Sequence, residues 1–463
     1  MSGTELIHSL QELLGRERVL SKPEELICYS YDATPDLPAG QPLVVVAPEN
    51  AGQVAGVINI ARRYATPVYP RGSGTNLSGG SLPLNPGIVL STLKMNRLLE
   101  IDADNLTATV QPGVIIQTLN DEVAPHGLIY PPDPGTVATA TMGGSVAECS
   151  GGLRGLKYGV TKHYVMGLEV VLADGQIVRL GGKTVKNVTG YDLVKLFTGS
   201  EGTLGVITEI TVRLIPAPKA RRTMLAVFDR LEDAGEAVTD IVRNRVVPAT
   251  LEIMDRVTVQ TVESYSGAGL PTDAEAVLLI EVDGIPEVVE NEARTVTQVV
   301  ESHRGRIRMA KNDRERDDIW LARRAALPAL AQLKPTTVLE DATVPRSRLT
   351  EMLKALQEIA VRYELTMGTF GHAGDGNLHP TILTDARNTE EMERVHRAVD
   401  EIFKKALELG GTLSGEHGIG LAKKGYLEWE LGSSGIDLTR RIKQALDPEN
   451  ILNPGKMISG GEG

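Results

Sequence analysis

The stretch PVYPRGSGTNLSGG, Pro67–Gly80, decides how this chain is read. A short strand signal ends at Arg71 in a loop dense in glycine. Glycine has no Cβ, so such a loop lets backbone N–H groups approach phosphate oxygens closely. Two further loops of this kind follow, TMGGSVAECSGG at Thr141–Gly152 and GSEGTLG at Gly199–Gly205. One glycine loop is an ordinary turn; three within one segment, the first beginning at a cation, point to a diphosphate lying along the backbone.

The common nucleotide signatures fail in detail. After Gly72-x-Gly74, Leu77 stands where a dinucleotide fingerprint needs its third glycine. Gly182-Lys183-Thr184 lacks the first glycine of a P-loop, since Ile177 holds that place. Asp102-x-Asp104-x-Leu106 breaks the calcium-loop pattern at its third ligand.

Outward from the loops, the chain reads as α+β. Leu43–Ala47 and Pro67–Tyr69 are strand-like, and the pattern predicts helices over 53–64 and about 114–123. Hairpins are expected through Asp102–Asn105 and Asp174-Gly175. Residues 5–30 read as a helical lead-in. Pro216-Ala-Pro218 marks a boundary, beyond which helices are expected near 231–243, 287–302, 313–331, 347–362 and 391–407. The last carries an apolar stripe of Met392, Val395, Val399, Ile402 and Ala406. The domains expected are 1–217, 218–410 and a closing segment 411–463.

Composition narrows the function. The 463 residues are 41% apolar with a net charge of −12, which permits a large core and disfavours nucleic acid. The two cysteines, Cys28 and Cys149, cannot hold an iron–sulfur cluster, and Cys149 reads as a small packing residue. The N-terminal residues have neither the cationic nor the apolar region of a signal peptide, and no apolar run approaches membrane-spanning length. A cytoplasmic protein, membrane-associated at most through a partner, is expected.

Near the C-terminus, GHAGDGNLHP at Gly371–Pro380 and SGEHGIG at Ser414–Gly420 place three of the eight histidines close to a glutamate. Imidazole and carboxylate suit a borderline divalent metal, and imidazole is the commonest general base near pH 7. His372 and His379 fit two extended segments joined by a turn at Asp375-Gly376. The spacing alone favours two loop histidines satisfied by hydrogen bonds.

In order, PVYPRGSGTNLSGG, PPDPGT (Pro131–Thr136), GGSVAECSGG, KYG (Lys157–Gly159) and GSEGTLGVITE (Gly199–Glu209) resemble the flavin-binding domain of the vanillyl-alcohol oxidase/p-cresol methylhydroxylase family. With the histidine motifs added, the resemblance covers about residues 5–458 and falls in the branch of FAD-linked D-2-hydroxy-acid dehydrogenases. It implies a two-part FAD-binding domain, a ferredoxin-like α+β cap domain, and a C-terminal segment returning to the flavin. FAD would lie against Arg71, Gly72, Ser73, Gly74, Thr75, Asn76 and Ser78, with Gly143, Gly144 and Ser145 also at the pyrophosphate. Pro134, Gly135, Thr136, Ser150, Gly151, Gly152, Tyr158, Gly202, Gly205 and Ile207 would line the rest, and Asn453 of LNPGK would reach the flavin. The first loop has no histidine, so a dissociable FAD is expected.

The resemblance further implies His372, His379 and Glu416 as ligands of zinc, iron(II) or manganese, with His417 as general base while the α-hydrogen leaves as hydride to flavin N5. Arg323 would bind the substrate carboxylate bidentately, and Asn377 would contact substrate. Leu339 ahead of Asp341 leans toward glycolate or D-lactate over 2-hydroxyglutarate. The electrons would pass to a partner, an iron–sulfur subunit or an electron-transferring flavoprotein; a homodimer is compatible. Rival readings are a direct oxidase, a silent flavin-carrying scaffold, and an alkyl-dihydroxyacetone-phosphate synthase-like reaction without net redox.

Overall fold

A computed structural model describes residues 3–35, 37 and 40–458. The chain divides into two units. Unit 1 comprises residues 1–150, 160–217 and 416–463; unit 2 comprises 151–159 and 218–415.

Unit 1 holds two main sheets. In the first, Val19–Leu20 pairs antiparallel with Val44–Val46, which runs parallel to Ile88–Ser91, itself parallel to Val68–Arg71. The strands Val44–Val46 and Ile88–Ser91 are buried throughout, as a covered parallel sheet requires. Helix Ala51–Arg63 covers it, started by Asn50, whose side chain accepts from the Gln53 amide. The C-terminal segment adds a rung beyond Val68: Val68 donates to Ile451 O and Asn453 donates to Val68 O. The second sheet is antiparallel, in the order Leu98–Asp102, Thr107–Val110, Val206–Arg213, Val165–Val171, Ile177–Gly181.

Unit 2 is built on one antiparallel sheet: Arg306–Met309, Ala220–Phe228, Ala276–Gly284, Thr250–Asp255, Thr366–His372, Asn377–Thr384, Thr336–Leu339, with Ala342–Thr343 also on Asn377–Thr384. Numbered along the chain, its first four strands stand in the order fourth, first, third, second, the ferredoxin-like arrangement with an extra helix, Arg256–Ser266, inserted between the second and third. The expected helix over 391–407 is Thr389–Glu408, and its whole apolar stripe is buried.

Three expectations change. The lead-in is helical only over Gly3–Leu14 and Pro23–Leu26, with the strand Val19–Leu20 between them. The helix expected over 313–331 breaks at Ala325 into Asp313–Arg324 and Ala326–Leu330, because Pro328 has no N–H and its ring opposes the Arg324 carbonyl. A helix not expected from the sequence spans Leu427–Leu446; Gly432, at φ 65°, kinks it and hides its period.

Candidate active site

In unit 2 the hairpin Thr366–His372/Asn377–Thr384 aligns His372 with Asn377 and Phe370 with His379. Side chains alternate along a strand and cross-strand partners share a face, so these four lie on one side of the sheet. The turn between them depends on Gly376, at φ 82°, where a Cβ would meet the Val344 carbonyl oxygen at 2.0 Å. The His372 and His379 rings meet edge to face, 5.1 Å between centroids. His379 also packs on Phe370 at 5.4 Å, and the Arg323 guanidinium lies 4.8 Å over the same ring.

Two buried carboxylates, neither anticipated from the sequence, organise this face. Glu252 accepts from Arg323 Nε at 2.7 Å and lies 2.8 Å from His372 Nδ1. Burial alone would raise its pKa, but its pairing with His372 and Arg323 outweighs that and holds it below the usual glutamate value. Asp341 accepts from Asn377 Nδ2 at 2.6 Å and from Ser414 Oγ at 2.8 Å. Asn377 Nδ2 also donates to Thr343 Oγ1 at 2.7 Å, so its side chain is held rigidly from below. A charged residue inside the apolar strand Thr250–Asp255 was the available signal for Glu252.

In unit 1 the three glycine loops converge. A Cβ on Gly72 would meet Thr141 Oγ1 at 2.3 Å, one on Gly202 would meet Pro70 Cγ at 3.2 Å, and the Gly199 amide donates to Val146 O. Gly74 has φ 77°, and a Cβ there would strike the Arg71 guanidinium. Arg71 is buried, its Nη1 3.3 Å from Ser81 Oγ. Asn76 turns its Oδ1 onto the loop's own amides, Ser78 at 2.9 Å and Gly80 at 2.6 Å. Gly143, Gly144 and Ser145 form the first turn of Met142–Glu148, whose cap Thr141 accepts from Gly144 N. Gly205 packs on Val170 and Ile207 is buried in Val206–Arg213, while Pro134, Gly135 and Thr136 form a turn closed by Val137 N onto Pro134 O.

The SGEHG motif straddles the two units. Ser414 and Gly415 belong to unit 2, whereas Glu416 and His417 begin the last part of unit 1. There the Glu201 carboxylate accepts the Ile419 and Gly420 amides at 2.6 and 2.7 Å, and Ser78 O accepts those of Leu421 and Ala422. His417 is therefore carried on a turn tied to two of the glycine loops. A Cβ on Gly418 would lie 2.2 Å from Glu148 Oε2 and 2.9 Å from Glu201 Oε1. Burial raises the pKa of both carboxyls, that of Glu148 most, with Glu201 adding to it.

Several of the remaining expected contacts hydrogen-bond within the protein. Ser150 stays in unit 1, where it accepts from Thr161, but Gly151, Gly152 and Tyr158 fall in unit 2, where Tyr158 donates to Asp283 at 2.7 Å. Asn453 donates to Gly80 O and Glu201 O, bracing the loops; its buried Oδ1 has no hydrogen-bond partner among the described residues. Burial raises the pKa of the Cys149 thiol, which stands at the C-terminal cap of Met142–Glu148.

The gathered glycine loops, where Gly72, Gly74, Gly143 and Gly205 leave no room for a Cβ, fit a diphosphate cofactor held along the backbone, and the Asn453 oxygen, an acceptor, fits a donor group of the same cofactor. Residues 42–181 match the family of FAD binding domains, and residues 217–457 match the C-terminal domain of FAD linked oxidases. The chain belongs to the FAD-linked oxidase family, and it is an FAD-linked oxidoreductase. It is 52% identical to the glycolate oxidase subunit GlcD of Bacillus subtilis, over 94% of this chain and 92% of that protein. It is 39% identical to a D-lactate dehydrogenase of Archaeoglobus fulgidus, over 93% and 95% respectively. Among solved structures, p-cresol methylhydroxylase with substrate bound superposes with a TM-score of 0.81 at 20% identity, covering 98% of this chain and 96% of that one, so the fold is shared. Among the described residues no helix is long and apolar enough to cross a membrane.

Proposed function

We propose that the protein oxidises a small D-2-hydroxy acid, glycolate or D-lactate, to the 2-oxo acid and passes the electrons to a partner protein. The observation that carries this reading is the hairpin face on which His372 and His379 meet at 5.1 Å beside the buried Arg323 guanidinium. That face offers two imidazoles for a divalent metal and a cation for a carboxylate, and Glu416 is the third ligand the motif supplies. Names of relatives, a glycolate oxidase subunit and a D-lactate dehydrogenase, support the substrate class.

The donor set fits a metal: each histidine has a carboxylate near its Nδ1, Glu252 at 2.8 Å for His372 and Asp341 at 3.8 Å for His379. The His372 contact is a hydrogen bond of the kind that orients metal-ligating imidazoles. A divalent metal, when bound, supplies Lewis acidity that lowers the pKa of the substrate hydroxyl. FAD, when bound non-covalently along the glycine loops, supplies the two-electron acceptor. Arg323 holds the substrate carboxylate, and Asn377, fixed by Asp341 and Thr343, lines the same face. His417 takes the hydroxyl proton as the α-hydrogen leaves with its electron pair.

Leu339, half-buried at the end of Thr336–Leu339, brings no second cation, which favours glycolate or D-lactate over 2-hydroxyglutarate. Anaerobic mixing with a panel of D- and L-2-hydroxy acids tests the reading. Bleaching by D-lactate or glycolate, abolished by prior chelation, is expected; no bleaching by any member refutes it. A direct oxidase would instead show hydrogen peroxide formation in excess of dye reduction.

A further inference from the structure

We propose that Glu252 is a positioning residue that fixes, through one carboxylate, both the tautomer of His372 and the orientation of Arg323. The inference deepens the metal and substrate reading above and rests on it.

Glu252 sits at the centre of the sheet. The register Ile253↔Gly371 and Met254↔Phe370 puts its side chain beside His372, on the face that carries Phe370 and His379. It is fully buried. Its two oxygens have different duties. Oε2 takes the side edge of Arg323, Nε at 2.7 Å and Nη2 at 2.5 Å, while Oε1 lies 2.8 Å from His372 Nδ1.

Hydrogen-bond chemistry then determines the proton positions. A guanidinium only donates, and an ionised carboxylate only accepts. His372 Nδ1 must therefore carry its proton toward Oε1, and Nε2 becomes the nitrogen that can ligate a metal. The Nε edge of Arg323 is consumed by Glu252 and its guanidinium carbon lies 4.8 Å over the Phe370 ring. A substrate carboxylate would then be met end-on, through Nη1 and Nη2, instead of along the Nε side. The same carboxylate thus presets the metal ligand and the anion clamp, at a distance fixed by the sheet.

Glu252→Gln separates this role from packing. Because Arg323 cannot accept, the glutamine oxygen must face it, and the amide NH₂ then faces His372 Nδ1. That nitrogen becomes an acceptor and the proton moves to Nε2, the wrong tautomer for binding through Nε2. The test is zinc affinity of the FAD-loaded protein, measured by competition with a chromophoric chelator, alongside FAD content, thermal midpoint and the KM for D-lactate.

The expected result is a zinc affinity lowered roughly 10–100-fold and a raised KM, with FAD content retained. Glu252→Asp, which keeps a carboxylate one methylene short, should recover part of both. Parental zinc affinity and KM in Glu252→Gln would overturn the proposal. Should Glu252→Gln not fold, Glu252→Asp carries the test: weakened zinc binding supports the proposal and unchanged binding overturns it. His372→Ala and His379→Ala run in the same titration. If they keep parental affinity, the metal reading itself fails; if they lose it while both Glu252 variants do not, only the positioning role fails.

Discussion

Glu201 accepts the Gly420 amide at 2.7 Å, joining the third glycine loop to the turn that follows His417, 219 positions later in the chain. The same carboxylate takes Ile419 at 2.6 Å. Two amides at one carboxylate make that turn a fixed appendage of the flavin-binding unit.

Glu201→Gln keeps the volume but replaces one acceptor with a donor, leaving one of the two amides facing an N–H. A stability loss of about 1–3 kcal/mol is expected, read as a lower thermal midpoint, together with slower flavin reduction. An unchanged midpoint and unchanged reduction rate would show that the turn is held by other contacts.

Asn377→Asp tests the floor of the hairpin face. A new carboxylate would stand 2.6 Å from Asp341, where the amide now donates. At pH high enough to ionise both carboxyls, a stability loss larger than for Asn377→Ala is expected, because two buried carboxylates at that distance repel, while at lower pH a shared proton relieves them. Thermal unfolding of both variants measures the order; a milder effect of the aspartate would contradict it.

Glycine crowding makes a prediction for the cofactor. Gly72→Ala drives a methyl into Thr141 Oγ1 at 2.3 Å, whereas Gly425 has nothing within 4 Å of such a methyl. FAD affinity should fall about tenfold or more in Gly72→Ala, a change of about 1.4 kcal/mol, and stay parental in Gly425→Ala. Equilibrium dialysis of flavin against the two variants decides it.

Asp255 caps Arg256–Ser266 through Thr258 N and also accepts Thr369 N at 2.8 Å. Burial pushes its pKa up from 3.8 to about 6, against the pull of those amides. The folded chain therefore holds a proton here over a pH window in which the unfolded chain has lost it. Stability from this group is present below about pH 4 and is lost as pH rises to about 6, by up to about 3 kcal/mol. Thermal midpoints of the parent should fall relative to Asp255→Asn across that window; a constant gap would contradict the assignment.

Much of this was legible in the sequence because it lies in local patterns. The turn at Asp375-Gly376, the stripe from Met392 to Ala406 and the three glycine loops are all readable from residues near in sequence. What stayed hidden depends on register and on breaks in period. Glu252 meets His372 only because two strands 120 positions apart pair in one particular register. Asn453 and Asn76 look like ligand contacts in their motifs, yet their polar atoms largely brace the loops themselves. The helix Leu427–Leu446 escaped notice because Gly432 interrupts its periodicity.

The most direct test of the central claim is the rate of anaerobic flavin reduction by D-lactate or glycolate in His417→Ala, with FAD and metal content matched to the parent. Loss of a general base predicts a rate lower by about 10²–10⁴-fold with flavin still bound. A parental reduction rate would contradict the account and leave the chain as a flavin carrier whose histidine motif does no chemistry.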